Sequence, residues 1–76
     1  MFHEYDMVKL IKNMPDQQLA AGAMGVILLV YDQPGLPIAY EVEFTNAKDD
    51  VVLLTLSEDD LEIELEWKNL EAGGIN

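Results

Sequence analysis

The sequence predicts an all-β domain built from five short strands. Apolar and polar residues alternate with a period of two in most apolar segments, which is typical of strands that bury one face. Turn-forming residues recur about every 8–12 residues, as they do in small β domains. The chain has 76 residues, half of them hydrophobic. That length and composition fit one domain with one core.

The first two strands are predicted over residues 5–11 and 24–31, separated by a loop that begins at a turn over residues 13–16. The second is the most apolar stretch and contains β-branched residues, which favour strands. An alternative makes Asp16 the N-cap of a helix over residues 17–23. Two glycines, Gly22 and Gly25, count against that helix, because each weakens a helix by about 1 kcal/mol relative to Ala.

The second half of the chain alternates more clearly. A Pro-Gly turn over residues 32–37 leads into a third strand over residues 38–44, and a polar loop over residues 46–50 leads into a fourth over residues 51–56. Residues 57–60 resemble a helical turn capped by Ser57. The fifth strand is predicted over residues 61–67, with Leu61, Ile63, Leu65 and Trp67 facing inward.

A long loop after the first strand and one helical turn before the last are the arrangement of a five-stranded SH3-like barrel. We assign residues 1–68 to this barrel and residues 69–76 to a flexible C-terminal tail. The alternation predicts seven core residues: Val8, Leu10, Val26, Leu28, Val42, Leu54 and Leu61.

The chain is strongly acidic. Four lysines and no arginine oppose fifteen carboxylates, for a net charge of −11. Residues 39–76 hold eleven of the acids and two of the lysines, a net −9. Phosphate binding depends on Lys and Arg, so the charge balance argues against nucleic acid as a partner. A protein with a basic surface is the better electrostatic match.

The residue types also restrict the chemistry. The chain has no cysteine, and its one histidine is His3. A metal site or a base–nucleophile pair needs more groups than that. We therefore expect no catalytic residues, metal or cofactor, and no enzyme activity. The start of the chain lacks a signal-peptide pattern, and its longest apolar stretch is shorter than the roughly 20 residues of a membrane span. These features predict a cytoplasmic protein.

Two features are candidates for partner binding. Acidic and apolar residues alternate in the third and fifth strands, so the glutamates of both strands are expected to share one outward face. That face is either merely solvated or a docking surface for a basic partner. Trp67 lies beyond the expected end of the barrel, where it either closes the open end or contacts a partner or a second copy. The predicted site residues are Glu41, Glu43, Glu62, Glu64, Glu66 and Trp67.

Other residues have two open interpretations. The aromatic residues Tyr5, Tyr31, Tyr40 and Phe44 are either core packing or a ligand groove of the kind that SH3-like barrels use. The segment from Gly22 to Gly25 lacks the Lys-Ser/Thr of a phosphate-binding loop. It is better explained as a turn with positive φ or a place where strands approach closely.

Several segments, in order, carry a resemblance to a known family: residues 5–10, 14–15, 19–26, 40–44 and 54–61. They resemble a bacterial family of short SH3-like barrel proteins, the domain-of-unknown-function family forty-nine twenty-six. The resemblance covers about residues 5–63. It implies the barrel fold, a likeness to KOW-type barrels, and an antitoxin- or immunity-like role beside another small protein; it implies no catalytic residue. The long turn at residues 32–37 and the extension at residues 65–70 depart from the family pattern. The extension is a candidate for self-association.

The sequence thus predicts a non-catalytic protein-binding module that docks a basic partner through an acidic face. The alternative is a KOW-like barrel associated with nucleic acid or ribonucleoprotein. Clustering of the four lysines on one surface would favour the alternative.

Overall fold

The computed structural model describes residues 1–69, and the fold is all-β as predicted. A 3₁₀ turn at Pro15–Gln17 lies between the first two strands, and a second at Glu58–Asp60 precedes the last strand, as predicted. The five strands are β1 Met7–Leu10, β2 Met24–Tyr31, β3 Ala39–Thr45, β4 Val51–Ser57 and β5 Leu61–Leu65. Residues 17–23 form no helix beyond the end of the first 3₁₀ turn, so the alternative helix is wrong. The predicted tail, except Asn69, lies outside the described residues.

All strand pairs are antiparallel, and the strand order in the sheet is β4-β3-β2-β1-β5. The two edge strands are consecutive in the chain, joined only by the three-residue turn Glu58–Asp60. In a flat sheet these edges would be roughly 19 Å apart, four strand spacings. The chain from the end of β4 to the start of β5 can span at most about 14 Å. The sheet must therefore curl, which gives the SH3-like barrel its shape.

The two faces of the sheet differ in burial. The inner face carries the core, to which Leu19 from the β1–β2 loop is added. We call the opposite surface the outer face. The buried inner-face residues are Val8, Leu10, Ile27, Tyr40, Val42, Phe44, Leu56 and Leu61. The strict alternation of β3 explains its three buried positions, because every second residue points inward.

The predicted core is correct in β1, β3 and β5 but wrong in β2. Val8, Leu10, Val42 and Leu61 are buried. In β2 the inner positions belong to Gly25 and Ile27, which pair with Phe44 and Val42. Val26 is half-buried on the outer face, and Leu28 is half-buried at an irregularity between Ile27 and Leu29. Because this apolar run contains no polar residue, the alternation of apolar and polar residues could not show which of its side chains point inward. The predicted core residue Leu54 is also only half-buried, on edge strand β4.

Of the inward set predicted for the fifth strand, Leu61 is buried, Ile63 faces inward without being buried, and the prediction for Leu65 is wrong. Ile63 pairs with Val8 but is 41% exposed. A register shift opposite Met7 and Val8 then places Leu65 beside Met7 on the outer face. Such a bulge adds one residue and reverses the facing of those that follow. The strand ends at Leu65, so Trp67 lies beyond it.

The two glycines before and within β2 have the predicted backbone roles. Gly22 has φ +94° in the turn that precedes β2. At Gly25, an added Cβ would lie 2.7 Å from a ring carbon of Phe44 and 2.8 Å from a methyl carbon of Val42. The inner face at this point is therefore packed so closely that only glycine fits.

The turn between β4 and β5 is held by one carboxylate. Asp60 accepts hydrogen bonds from the Ser57 backbone N–H at 3.0 Å and from the Ser57 hydroxyl at 3.1 Å. Its other oxygen lies 2.9 Å from Lys12 Nζ. The Lys12 hydrogen bond, with the help of the Ser57 N–H, lowers the pKa of Asp60. The predicted capped turn at Ser57 is thus confirmed, and it fixes where β5 begins.

Candidate functional site

An apolar row crosses the outer face of the barrel. The strand registers align one residue from each strand: Leu65, Met7, Val26, Glu43 and Leu53, from β5 to β4. Four of the five are apolar, although this face is open to solvent. Leu65 is 37% exposed and Leu53 is 54% exposed. Leu65, Met7 and Val26 are direct neighbours in the row, whereas Glu43 separates them from Leu53. Adjacent apolar side chains on an open face of a small domain are a candidate interaction site.

An aromatic groove lies at the β5 end of this row. Tyr5, Met7, Val26 and Trp67 line a cavity of about 410 Å³. The Tyr5 and Trp67 rings meet edge to face, with centroids 6.1 Å apart. Tyr and Trp offer large contact surfaces with few rotatable bonds, which suits them to binding other proteins. We call this feature the Tyr5–Trp67 groove.

A buried carboxylate holds the Trp67 wall of the groove. Asp6 is 3% exposed. One of its oxygens accepts the backbone N–H of Trp67 at 3.0 Å, and the other accepts the backbone N–H of His3 at 2.9 Å. It therefore ties the segment after β5 to the segment before β1. A buried carboxylate is stable only when such donors satisfy it.

Tyr5 has a strained backbone conformation. Its φ is +70°, in the left-handed region that aromatic residues rarely adopt. The neighbouring hydrogen bonds hold it there: Tyr5 N–H donates to the Ile27 carbonyl at 2.7 Å, and Asp6 N–H donates to the His3 carbonyl at 3.1 Å. Such strain costs about 1–3 kcal/mol and is found most often at functional sites. Here it turns the Tyr5 ring toward Trp67.

The predicted acidic residues lie on two separate parts of the outer face. Glu41 and Glu43 are on β3, and Glu62 is on β5 opposite Lys9. Strands β1 and β2 lie between them, so the two groups are about 14 Å apart at the usual strand spacing. The glutamates share a side of the sheet but do not form one contiguous patch. Glu43 is the one acidic member of the apolar row, and the other glutamates lie on either side of the Tyr5–Trp67 groove.

The remaining predicted site residues lie at the β5 end. Glu64 falls at the β5 irregularity, and its carboxylate is 3.2 Å from Lys9 Nζ. Glu66 follows the strand, is half-buried, and accepts a hydrogen bond from the Asn69 side chain at 3.0 Å. Trp67 is 45% exposed and forms a wall of the groove.

A second polar cluster closes the inner face near the Glu58–Asp60 turn. The Tyr40 hydroxyl donates a hydrogen bond to Glu58 and accepts one from the Phe2 N–H at 3.0 Å. The Phe2 ring packs on Tyr40 with centroids 5.2 Å apart. Burial, reinforced by the hydrogen bond to Glu58, raises the pKa of Tyr40 to about 12. Tyr40 is thus a core residue with a satisfied hydroxyl and not part of a groove.

The lysines are distributed along the chain. Lys9 is paired with Glu64 and Lys12 with Asp60. Lys48 lies in the β3–β4 loop, and Lys68 follows β5. Two of the four are thus neutralised by carboxylates. Within residues 1–69, no group of three or more His, Asp or Glu side chains is arranged to hold a metal ion.

Four residues were not predicted to belong to this site. Val26 belonged to an apolar run whose outward positions carry no polar marker. Met7 alternates with Lys9 on the outward side of β1 but was not singled out. Leu65 was assigned to the inner face because the bulge was not foreseen. Asp6 was counted only as charge. A single acid between aromatic and apolar residues, at the start of a strand, was the available signal for a buried carboxylate.

These features define a class of protein: a small SH3-like β barrel with an apolar groove on its outer face and acidic residues on both sides of it. The chain belongs to the family described as Domain of unknown function (DUF4926), whose model matches residues 4–63. Leu65 and Trp67 lie beyond the matched segment, whereas Tyr5, Met7 and Val26 lie within it. No curated protein and no solved structure matches the chain. No helical segment of residues 1–69 is long and apolar enough to cross a membrane.

Proposed function

We propose that the chain is a non-catalytic protein-binding module whose outer face docks a partner with apolar side chains surrounded by basic ones. The observation that carries this proposal is the exposed Tyr5–Trp67 groove between two groups of glutamates. An antitoxin- or immunity-like role, in which the barrel covers a basic surface of another small protein, fits this arrangement.

The groove has the composition and rigidity of a binding hot spot. Aromatic residues and Met are enriched at the centres of protein interfaces. Both aromatic walls are held before any partner arrives, because Asp6 fixes the backbone of Trp67 and the strained Tyr5 is hydrogen-bonded to Ile27. Binding to a preformed groove loses less conformational entropy than binding to a mobile one.

The charges around the groove select the partner. The outer face carries four glutamates (Glu41, Glu43, Glu62 and Glu64) and Lys9, a net −3 from four acids minus one base. A negative rim speeds the approach of a basic protein and repels an acidic one. The net charge of the whole chain, −11, acts in the same direction.

A nucleic-acid partner is less well supported. Phosphate contacts need clustered Lys or Arg side chains. Two of the lysines pair with carboxylates, and the chain has no arginine. We therefore propose that the partner is a protein.

Site-specific photo-crosslinking tests this function. A photo-reactive phenylalanine analogue replaces Leu65, beside the groove, in full-length protein expressed in a bacterial host. The matched control places it at Leu36, which is 60% exposed in the β2–β3 loop. We expect one protein to crosslink from position 65 and not from position 36. Equal capture from both positions, or none from position 65, contradicts the proposal.

The captured protein, once purified, allows a sharper test of charge. Glu43→Lys and Asp16→Lys change the net charge equally, but Asp16 lies in the Pro15–Gln17 turn, away from the sheet. We expect Glu43→Lys to weaken binding roughly fivefold and Asp16→Lys to leave it nearly unchanged. Equal weakening by both variants would mean that only the total charge matters.

A further inference from the structure

The edge strand β4 is unlike the rest of this acidic chain. It runs for seven residues, Val51–Ser57, with no charge, proline or glycine, and within residues 1–69 it pairs with β3 alone. Long apolar edges of this kind tend to bind other strands, and natural proteins usually protect them. We propose that β4 binds an extended segment of another protein, which it adds to the sheet as a further strand.

The free backbone groups of β4 can be identified from the hairpin. The Asn46 N–H donates to the Asp50 carbonyl at 2.9 Å, next to the Thr45–Val51 pair. Hydrogen-bonded pairs alternate along an antiparallel ladder. The residues of β4 that bond to β3 are therefore Val52, Leu54 and Leu56, whereas Val51, Leu53, Thr55 and Ser57 direct their N–H and C=O groups away from β3.

One hydrogen bond independently supports this assignment of inward and outward backbone groups. The Ser57 N–H donates to the Asp60 carboxylate at 3.0 Å, so it does not point at β3. Of the four outward N–H groups, this one is thus already used. The N–H groups of Val51, Leu53 and Thr55 remain directed at the open edge, in the even spacing that an added strand requires.

The side chains beside the edge leave contact surface on both faces. On the outer face, Val51 is 64% exposed and Leu53 is 54% exposed. On the inner face, Val52 and Leu54 are only half-buried, although their neighbours on β3 are fully covered. Alternate residues of an added strand would cover both pairs. Backbone hydrogen bonds would supply affinity, and these apolar contacts would supply a preference for segments with apolar side chains.

The charges at the two ends of β4 determine the occupant. Asp49 and Asp50 precede the strand, and Glu58 and Asp59 follow it. If two β4 strands paired antiparallel, Asp49 and Asp50 of each copy would lie beside Glu58 and Asp59 of the other copy. Like charges so placed repel, so a second copy is disfavoured. A segment with an uncharged middle and Lys or Arg at both ends is attracted at both ends.

The inference goes beyond the proposed function, because it uses the backbone edge of β4 and not the Tyr5–Trp67 groove. Leu53 is common to this edge and to the apolar row, but it does not line the groove. The Tyr5–Trp67 groove lies on β1, β2 and the segment after β5, whereas the free edge lies at the opposite side of the sheet. We therefore expect each surface to keep its binding when the other is disabled.

The test uses a synthetic peptide, Lys-Lys-Val-Thr-Val-Thr-Val-Lys-Lys, added to the full ¹⁵N-labelled chain at low salt. We expect shifts and slowed hydrogen exchange at the amides of Val51, Leu53 and Thr55. The same peptide with Glu in place of its four lysines should bind at least about tenfold more weakly. A version N-methylated at alternate amides, which cannot complete the ladder, should not bind. No binding by the lysine peptide up to ~1 mM overturns the proposal.

A pair of variants separates backbone pairing from side-chain contact. Leu53→Pro removes the outward N–H at the centre of the edge, whereas Leu53→Thr removes the same apolar side chain and keeps the N–H. We expect Leu53→Pro to abolish peptide binding and Leu53→Thr to change it less than about threefold. Thermal unfolding of both variants reports whether they fold, and the N-methylated peptide tests the same hydrogen bonds on the unaltered chain.

Two outcomes would overturn the inference in different ways. Shifts confined to Tyr5, Met7 and Trp67, with normal binding by Leu53→Pro, would place the peptide in the groove and leave the proposed function standing. Concentration-dependent dimerisation that Leu53→Pro abolishes would show that the edge pairs with a second copy. Failure at the groove with retained edge binding would instead count against the proposed function alone.

Discussion

The two faces of this sheet contain similar numbers of apolar side chains but use them differently. On the inner face, β3 contributes Tyr40, Val42 and Phe44, all buried, and Gly25 opposite them leaves no free space. On the outer face, Met7 and Val26 lie in an open groove between glutamates. The inner face therefore stabilises the fold, whereas the outer face is available for binding. Mutations of matched chemistry on the two faces should separate these roles.

The largest contrast is expected between two leucines. Leu10→Ala on the inner face should lower the free energy of unfolding by about 2–5 kcal/mol, because it leaves a cavity at a position that is 1% exposed. Leu53→Ala on the outer face should change it by less than about 0.5 kcal/mol. Urea unfolding of both variants measures the difference. Similar losses would show that the outer row is also structural.

Tyr40 tests a polar group of the inner face. Its pKa is raised from 10.0 to about 12, so the folded state keeps a proton that the unfolded state loses between these values. The contribution of Tyr40 is fully present below pH 10 and is lost as pH rises toward 12, at up to about 1.4 kcal/mol per pH unit.

The measurement is the free energy of unfolding at several pH values from 9 to about 12. The Tyr40→Phe variant is the control, because it keeps the ring and removes the titrating hydroxyl. Its stability should fall less steeply over this range than that of the unaltered chain. Parallel curves would mean that Tyr40 ionises equally easily in both states.

Close packing at Gly25 gives the next effect. Gly25→Ala should cost about 1–3 kcal/mol, because the new Cβ would overlap the Phe44 ring and a Val42 methyl group. The loss should be partly recovered in the double variant Gly25→Ala/Phe44→Leu, relative to Phe44→Leu alone, because neighbouring sites are not additive. Strict additivity in thermal unfolding would contradict this account of the contact.

The smallest effect concerns the turn that joins the two edges. Asp60→Asn should cost about 1 kcal/mol at neutral pH, since it weakens the hydrogen bonds to Ser57 and the ion pair with Lys12. The pKa of Asp60 is lowered in the fold, so its contribution is present above the ordinary value of 3.8 and is lost as pH falls below it. The variant and the unaltered chain should therefore converge in stability in acid. A constant difference down to low pH would exclude the ionised carboxylate as the cause.

Sequence patterns were sufficient for most of the fold but not for the site. Ser57 and Asp60 signalled the capped turn before β5, because capping depends on residues close in the chain. The Tyr5–Trp67 groove combines residues from both ends of the described chain, and no local pattern relates them. The prediction that Glu43 and Glu62 face outward was correct. Strands β1 and β2 lie between them, however, so they do not form the single acidic patch that was predicted.

The sequence by itself determined the all-β class, the order of the strands along the chain, the inward face of β3 and the acidic charge. These follow from local alternation, turn chemistry and composition. Only the tertiary structure decided which residues of β2 and of the end of β5 point inward. The apolar run of β2 contains no polar residue that would show which side faces solvent. The bulge in β5 reverses the direction of the following side chains, and no residue type in the sequence indicates it. The tertiary structure also decided that Asp6 is buried, since its donors on His3 and Trp67 come from both sides of the fold. The groove exists because segments that are distant in the chain meet in three dimensions. Among residues 1–69, no strand pairs with the outer edge of β4.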